Sequence, residues 1–380
     1  LIAMSKPAPA IVSLAKGDPA PWFYAQALSG APRYAFDAAG GRAILMLFFG
    51  TAREPACAAA LAKIEARQDL FDDERGCFFG ITVDPEDASQ RRIAPRIPGM
   101  RHFLDFDFAV SRAYGAIDPD GRSYCAFWLL LDRAMRVAGR FALGDDDAAI
   151  DAYAALSAAP AGDGWAPVAV VSDIFEPELC QRLIDLYEAD GGHESAFMRD
   201  VDGVTRALLD PSHKVRRDYL VSDPELTHAL HLRIKRRLDP MLKRIFQFEP
   251  TRIERMLVAC YEAETGGHFR PHRDNTTFGT AHRKFAVTIN LNAGDYEGGD
   301  LRFPEFGPRT YRAPTGGAIV FSCSLLHEAT RVTHGRRFAF LPFLYDEEGA
   351  ALRERNAKFT EGELARYKAA HEEKERGPPG

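Results

Sequence analysis

Residues 268–280 read "HFRPHRDNTTFGT", and His272, Arg273 and Asp274 within them form a triplet that two unrelated chemistries use. In a protein-kinase catalytic loop, H-R-D is followed by an Asn five residues after the Asp, which holds a magnesium ion. Position 279 is Gly279, no Gly-rich strand-loop or V-A-I-K strand precedes the triplet, and no D-F-G follows it. That reading fails on its own requirements. On an extended strand, residues two apart project to the same side. His272 and Asp274 can therefore present an imidazole and a carboxylate to one point while Arg273 turns to the opposite face. A non-haem iron face needs two imidazoles and one carboxylate, with positions left open. The third donor has to come from a distant strand, and His327, after the apolar run "AIVFSCSLL" (318–326), is the candidate.

The surrounding text is β-rich. From Arg252 onward "RIERMLVACYEA", "KFAVTINLN", "DLRFPEF", "TYRAP", "GAIVFSC" and "RRFAFLPFLY" are short strand-like runs punctuated by Gly, Asn, Asp and Pro, the pattern of a sandwich or jelly roll. Upstream, "EPELCQRLIDLYEA" opens a helix with Pro177 in its first turn, where its missing N–H costs nothing. The stretch from His193 to Leu220 has no sustained period and reads as a long loop or lid carrying Arg206, Lys214, Arg216 and Arg217. "DPELTHALHLRIKRRLDPMLKRIF" reads as an amphipathic helical region with Leu230, Ile234, Leu238, Met241 and Ile245 on one face. His268, His282 and His334 read as loop residues, and Cys323 as a small buried apolar side chain.

Residues from about Val168 to Asp346 resemble the 2-oxoglutarate and iron(II)-dependent oxygenases, in particular the prolyl-4-hydroxylase-like branch. The resemblance runs through Tyr261, Gly267, Phe269, His272 and Asp274. It continues with Gly298-Gly299-Asp300-Leu301 and Phe303, then Pro314, Gly317 and Phe321, and closes with His327-Glu328, Gly335 and Arg337. It implies a double-stranded β-helix (jelly roll, cupin-like) with flanking helices, and Fe(II) held by His272, Asp274 and His327. Arg337 then corresponds to the basic residue that pairs with the distal carboxylate of 2-oxoglutarate, a task suited to the guanidinium fork. Arg336 is sent to the opposite face by strand alternation. Tyr261, Thr288 and Asn290 are further candidates for the co-substrate's cavity. The implied reaction consumes O2 and 2-oxoglutarate, releases succinate and CO2 and hydroxylates a peptide (prolyl) or small-molecule substrate, with ascorbate as an expected reductant.

The first part of the chain has a different texture. "AILMLFFG" (43–50), the helical "EPACAAALAKIEARQDLF", "CFFGITVD", the helical "FAVSRAYGA" and the hairpin "CAFWLLLD"/"RVAGRFAL" follow one another in β-α-β order, which implies an open α/β sheet. Residues from about Gly17 to Gly144 resemble the peroxiredoxin branch of the thioredoxin-like fold, through "GDPAPWF" (17–23) and Cys57 after the strand "ILMLFFG". Cys57 is thus a candidate redox thiol, with a helix N-terminus favouring its thiolate. The motif departs from the family at Gly50, Glu54 and Tyr124, where a Pro, a Thr and an Arg are expected, with Arg122 as a displaced alternative for the last. Glu54 opposes ionisation, and the Arg that would stabilise the thiolate is missing. The alternative reading of the whole chain is a thiol-based peroxide sensor, peroxidase or binding module built on this domain.

"PAGDGWAP" (160–167) concentrates Pro and Gly and marks the boundary. The expected organisation is a thioredoxin-fold domain over 1–160, a linker over 161–167, the oxygenase domain over 168–350 and a charged helical tail over 351–380. With 46% apolar and 27% charged residues, the composition is that of a globular protein. The formal charge of −6 supplies no global attraction to nucleic acid or anionic lipid. No apolar run reaches the length of a membrane span, and the opening residues lack the charged-then-apolar order of a secretory signal. Six scattered cysteines without C-x-x-C spacing point away from a disulfide framework and from structural zinc. A cytoplasmic location is expected, with self-association through the N-terminal domain.

Overall fold

The computed structural model describes residues 14–29, 33–118 and 120–360. The chain divides into two compact units, one running to Gly164 with Pro304–Gly307, the other covering Trp165–Phe303 and the chain from Pro308 onward.

The first unit is built on a seven-stranded sheet. Its strands lie in the order 34–35, 24–27, 100–104, 76–82, 43–50, 127–131, 137–142. The interior strand Ala43–Gly50 runs parallel to Gly76–Thr82, which runs parallel to Met100–Leu104. All eight residues of Ala43–Gly50 are buried, as expected of a parallel strand covered on both faces. Alternation divides them: Ile44, Met46 and Phe48 enter one core with Phe36, Phe103 and Tyr114, while Leu45, Leu47 and Phe49 enter another with Cys57, Ile64 and Tyr153. The helices Pro55–Ala66 and Asp146–Ala158 supply that second core.

In the second unit a large antiparallel sheet is backed by helices. Strands Arg252–Glu254, Phe343–Tyr345, Phe285–Asn290, Val332–Phe340, Leu257–Glu262, Arg217–Leu220 and His193–Glu194 follow one another across it, and Ala318–Ser322 pairs with Phe285–Asn290. Val258, Cys260, Val287, Ile289, Phe338 and Phe340 point to one side and pack on Leu183 and Tyr187 of the helix Pro177–Asp190 and on Leu226 and Leu230. A smaller sheet has the order Lys214–Val215, His268–His272, His327–Ala329, Leu301–Arg302, Thr310–Tyr311. Leu257, Ala259 and Tyr261 of the large sheet meet Ala329 and Phe269 of the small one in a separate cluster, so the two sheets face each other on the side opposite the helices, and the region between them is the inter-sheet chamber.

Two expectations are corrected here. Residues 193–220 are not a structureless loop. Phe197–Val201 and Val204–Leu208 form a hairpin, and Lys214–Val215 and Arg217–Leu220 step from the small sheet to the large one. These strands are two to five residues long, too short to impose a visible period. In the helical region, Leu230, Ile234 and Leu238 are buried as expected, but Ile245 is exposed and Leu242 takes its place. A π-helical stretch over Ile234–Leu238, followed by Pro240 at the start of the next helix, rotates the apolar face out of the 3.6-residue phase. The helix Glu347–Asn356 begins the charged tail; residues 361–380 of that expectation lie outside the described residues.

Candidate metal centre

His272 ends the strand His268–His272 and stands directly opposite His327, the first residue of His327–Ala329. Asp274 follows two residues later. Its Oδ1 lies 3.5 Å from His272 Nε2 and its Oδ2 3.3 Å from His327 Nε2. One ligand atom from each of the three residues falls within 4.8 Å of the others. Nδ1 of His272 is 2.8 Å from the Arg270 carbonyl oxygen, and Nδ1 of His327 is 3.0 Å from that of Leu325. A carbonyl only accepts, so both Nδ1 atoms carry the proton and both Nε2 lone pairs are turned to the shared point. Burial pushes the pKa of His327 down to about 4, which keeps it a neutral ligand.

The triad is fixed by a clasp that sequence spacing does not reveal. Asp274 N–H donates to Cys323 O at 2.9 Å, Arg273 Nη1 to Ser324 O at 2.5 Å, and Asn275 Nδ2 to Ser324 Oγ at 2.8 Å. Arg273 is thus turned from the triad, as alternation requires, but into a buried position that ties one ligand segment to the other.

Arg337 faces the chamber. It lies across from Tyr261 in the register of their two strands, with its guanidinium 5.1 Å from the Tyr261 ring centre. It is buried, yet Nε and Nη1 have no hydrogen-bond partner among the described residues. A buried guanidinium without a carboxylate is costly. Gly299, at φ +66°, leaves its stem room: a Cβ there would stand 3.1 Å from Arg337 Cδ and 2.8 Å from Val332 Cγ2. Arg336 points the other way, to Glu188 at 2.5 Å and Glu262 at 2.9 Å.

Thr288 and Asn290 alternate with the core residues Val287 and Ile289 and so face the chamber side. Asn290 Nδ2 donates to Ala313 O at 2.7 Å, which leaves Oδ1 as its unpartnered atom. His268 and His334 are strand residues rather than loop residues. His282 sits in a turn but is buried, 2.6 Å from Glu254, which also holds Arg283 at 2.7 Å. A short polar run gives no sign of a partner 28 residues upstream.

In the first unit Cys57 lies in the first turn of Pro55–Ala66, but the thiol is buried and points to Phe49 O at 3.2 Å. Burial, and after it Glu54, push its pKa up to about 11, against the thiolate that a helix N-terminus would favour. Tyr124, in place of an Arg, packs its ring against Gly50.

Residues 256–345 match the model of the 2OG-Fe(II) oxygenase superfamily, and residues 16–145 that of the AhpC/TSA family. A PKHD-type hydroxylase of Synechococcus sp. (strain JA-2-3B'a(2-13)) is 33% identical over 96 residues, 24% of this chain and 42% of that protein. A multifunctional procollagen lysine hydroxylase and glycosyltransferase of Caenorhabditis elegans is 29% identical over 101 residues, 26% of this chain and 13% of that one. The chain therefore spans less than half the length of these curated relatives. Among solved structures, a viral collagen prolyl hydroxylase from Paramecium Bursaria Chlorella virus-1 is similar at 14% identity and TM-score 0.36, over 48% of this chain and 97% of that one.

Proposed function

We propose that this chain is an iron(II)- and 2-oxoglutarate-dependent oxygenase that hydroxylates a peptide or small-molecule substrate, with its oxygenase domain at 168–350, a double-stranded β-helix. The observation that carries the reading is the convergence of His272, Asp274 and His327 within 4.8 Å, in a chamber whose other wall holds a buried Arg337 lacking a carboxylate. The donor set suits Fe(II): two neutral imidazoles and one carboxylate form a triad with room for further ligands. Bound iron would supply O2 activation coupled to decarboxylation of 2-oxoglutarate to succinate and CO2. The protein's part is positional. Arg337 would take the distal carboxylate, Tyr261 and Asn290 would offer polar atoms to the same molecule, and the Cys323–Ser324 clasp would hold the triad in place before anything binds. Ascorbate as reductant and self-association through the first domain, bounded at 1–160 and joined by 161–167, belong to the same proposal.

Anaerobic addition of Fe(II) and 2-oxoglutarate tests it. The expected result is a weak visible charge-transfer band, absent from His272→Ala and His327→Ala. Arg337→Met is expected to keep iron binding while weakening 2-oxoglutarate by at least about tenfold, the scale of one charge-assisted hydrogen bond or more. No band in the intact protein sinks the proposal. The AhpC/TSA fold is compatible with the thiol-based alternative, but a buried Cys57 with its pKa at about 11 weighs against rapid peroxide chemistry.

A further inference from the structure

The chamber contains more positive charge than the co-substrate accounts for. Arg216 and Asp218 lie on the face of the large sheet that carries Ala259 and Tyr261: Asp218 stands opposite Ala259 in register, and Arg216 Nη1 donates to Tyr261 Oη at 3.4 Å. Arg216 takes Asp218 at both carboxylate oxygens, 2.7 Å each, and Ser195 Oγ donates to the same carboxylate. Two further cations close on this group. Lys214 Nζ donates to Ser195 Oγ at 2.6 Å and Ala196 O at 2.8 Å. Its ammonium stands 4.9 Å above the Phe269 ring, and that ring stacks on His272 at 3.5 Å. Arg255, with 23% of its side chain exposed, has Asp218 Oδ2 as its nearest carboxylate oxygen, at 3.7 Å, and makes no hydrogen bond among the described residues.

Asp218 is the one carboxylate paired with any of Lys214, Arg216, Arg255 and Arg337 among the described residues, and Arg216 already engages both its oxygens. A 2-oxoglutarate molecule would bring one carboxylate to Arg337 and spend the other on the metal. Arg255 would then still have only the shared Asp218 carboxylate, at 3.7 Å. Its side chain stays charged at any working pH. It also holds a left-handed backbone at φ +64°, a conformation that residues with side chains seldom adopt and that clusters at ligand sites. Burial, and after it the Arg216 charge, push the Lys214 pKa well below its ordinary value.

We infer that Arg255, backed by Arg216 and Lys214, forms an anion subsite beside the metal triad that takes a carboxylate of the primary substrate. The inference rests on the oxygenase reading and narrows its substrate to acids. The carboxylate can belong to a free small acid or to an acidic side chain of a peptide.

The test uses the full chain loaded anaerobically with Fe(II) and 2-oxoglutarate, the charge-transfer band reporting that both stay bound. Two matched probe pairs are titrated: phenylacetate against phenylacetamide, and a hexapeptide with a central Asp against its Asn counterpart. The expected result is that in at least one pair the acid binds at least tenfold more tightly than the neutral partner with the band retained. The pair that responds identifies the source. Arg255→Met is expected to abolish the preference while leaving the band and the melting temperature unchanged, and Arg255→Lys to restore part of it. The subsite is overturned if neither acid outbinds its neutral partner, or if the preference survives in Arg255→Met. A wild-type protein without the band overturns the oxygenase reading itself, and the subsite with it.

Discussion

At the scale of single residues, Asp274 stands within 3.5 Å of both histidine Nε2 atoms, and Arg337 lies across from Tyr261 in the neighbouring strand. His272, Asp274 and His327 are legible because strand alternation and one distant apolar run suffice to bring them to one point. Arg273 is less so: alternation turns it from the triad, but its hydrogen bond to Ser324 depends on how two loops meet. Arg255 and Arg216 carry no motif at all, because their meaning lies in a charge count across three strands. Cys57 shows the reverse case, a motif position whose ionisation is opposed by burial and by Glu54. With a pKa of about 11, only about one thiol in ten thousand is ionised at pH 7. Alkylation of Cys57 by iodoacetamide, followed by mass spectrometry of its peptide, is therefore expected to be far slower than that of the exposed Cys125 and to accelerate with each pH unit up to about 11. A Cys57 that reacts at neutral pH as fast as Cys125 contradicts the burial argument.

Elements with a full period were readable and short ones were not. The eight-residue strand Ala43–Gly50 and the helix Pro177–Asp190 each contain enough repeats to reveal a core strand and an amphipathic face. The segments between His193 and Leu220 are too short for that, and their pairing with the two sheets is decided by tertiary contact. The π-helical turn over Ile234–Leu238 is another local event that a 3.6-residue template steps across. It makes a specific prediction: Leu242→Ala is expected to cost about 2–5 kcal/mol as a core truncation, while Ile245→Ala costs under about 1 kcal/mol as a surface one. Urea unfolding of the two variants measures this directly, and equal losses would restore the unbroken face.

Across the whole molecule, the chain splits into two compact units and matches two different family models. What sequence texture did not announce was the buried ion network that ends the large sheet, Glu254 with His282 and Arg283. Burial opposes the Glu254 carboxylate, but Arg283 and then His282 hold its pKa well below its ordinary 4.5. The contribution of a carboxylate depressed in this way is complete above the unfolded value and is lost as pH falls toward the folded one. Stability is therefore expected to fall below about pH 4.5 more steeply in the wild type than in Glu254→Gln, and that variant to lose about 3–5 kcal/mol at pH 7 by stranding Arg283. Denaturant melts at pH 3.5 and 7 separate the two. The clasp that joins Asp274, Arg273 and Asn275 to Cys323 and Ser324 consists wholly of protein–protein bonds. Metal should therefore act on this protein as a ligand and not as a folding partner. Chelator-treated protein is expected to keep its circular dichroism and cooperative melt, and each tenfold rise in free metal above its dissociation constant to add about 1.4 kcal/mol, as simple mass action requires.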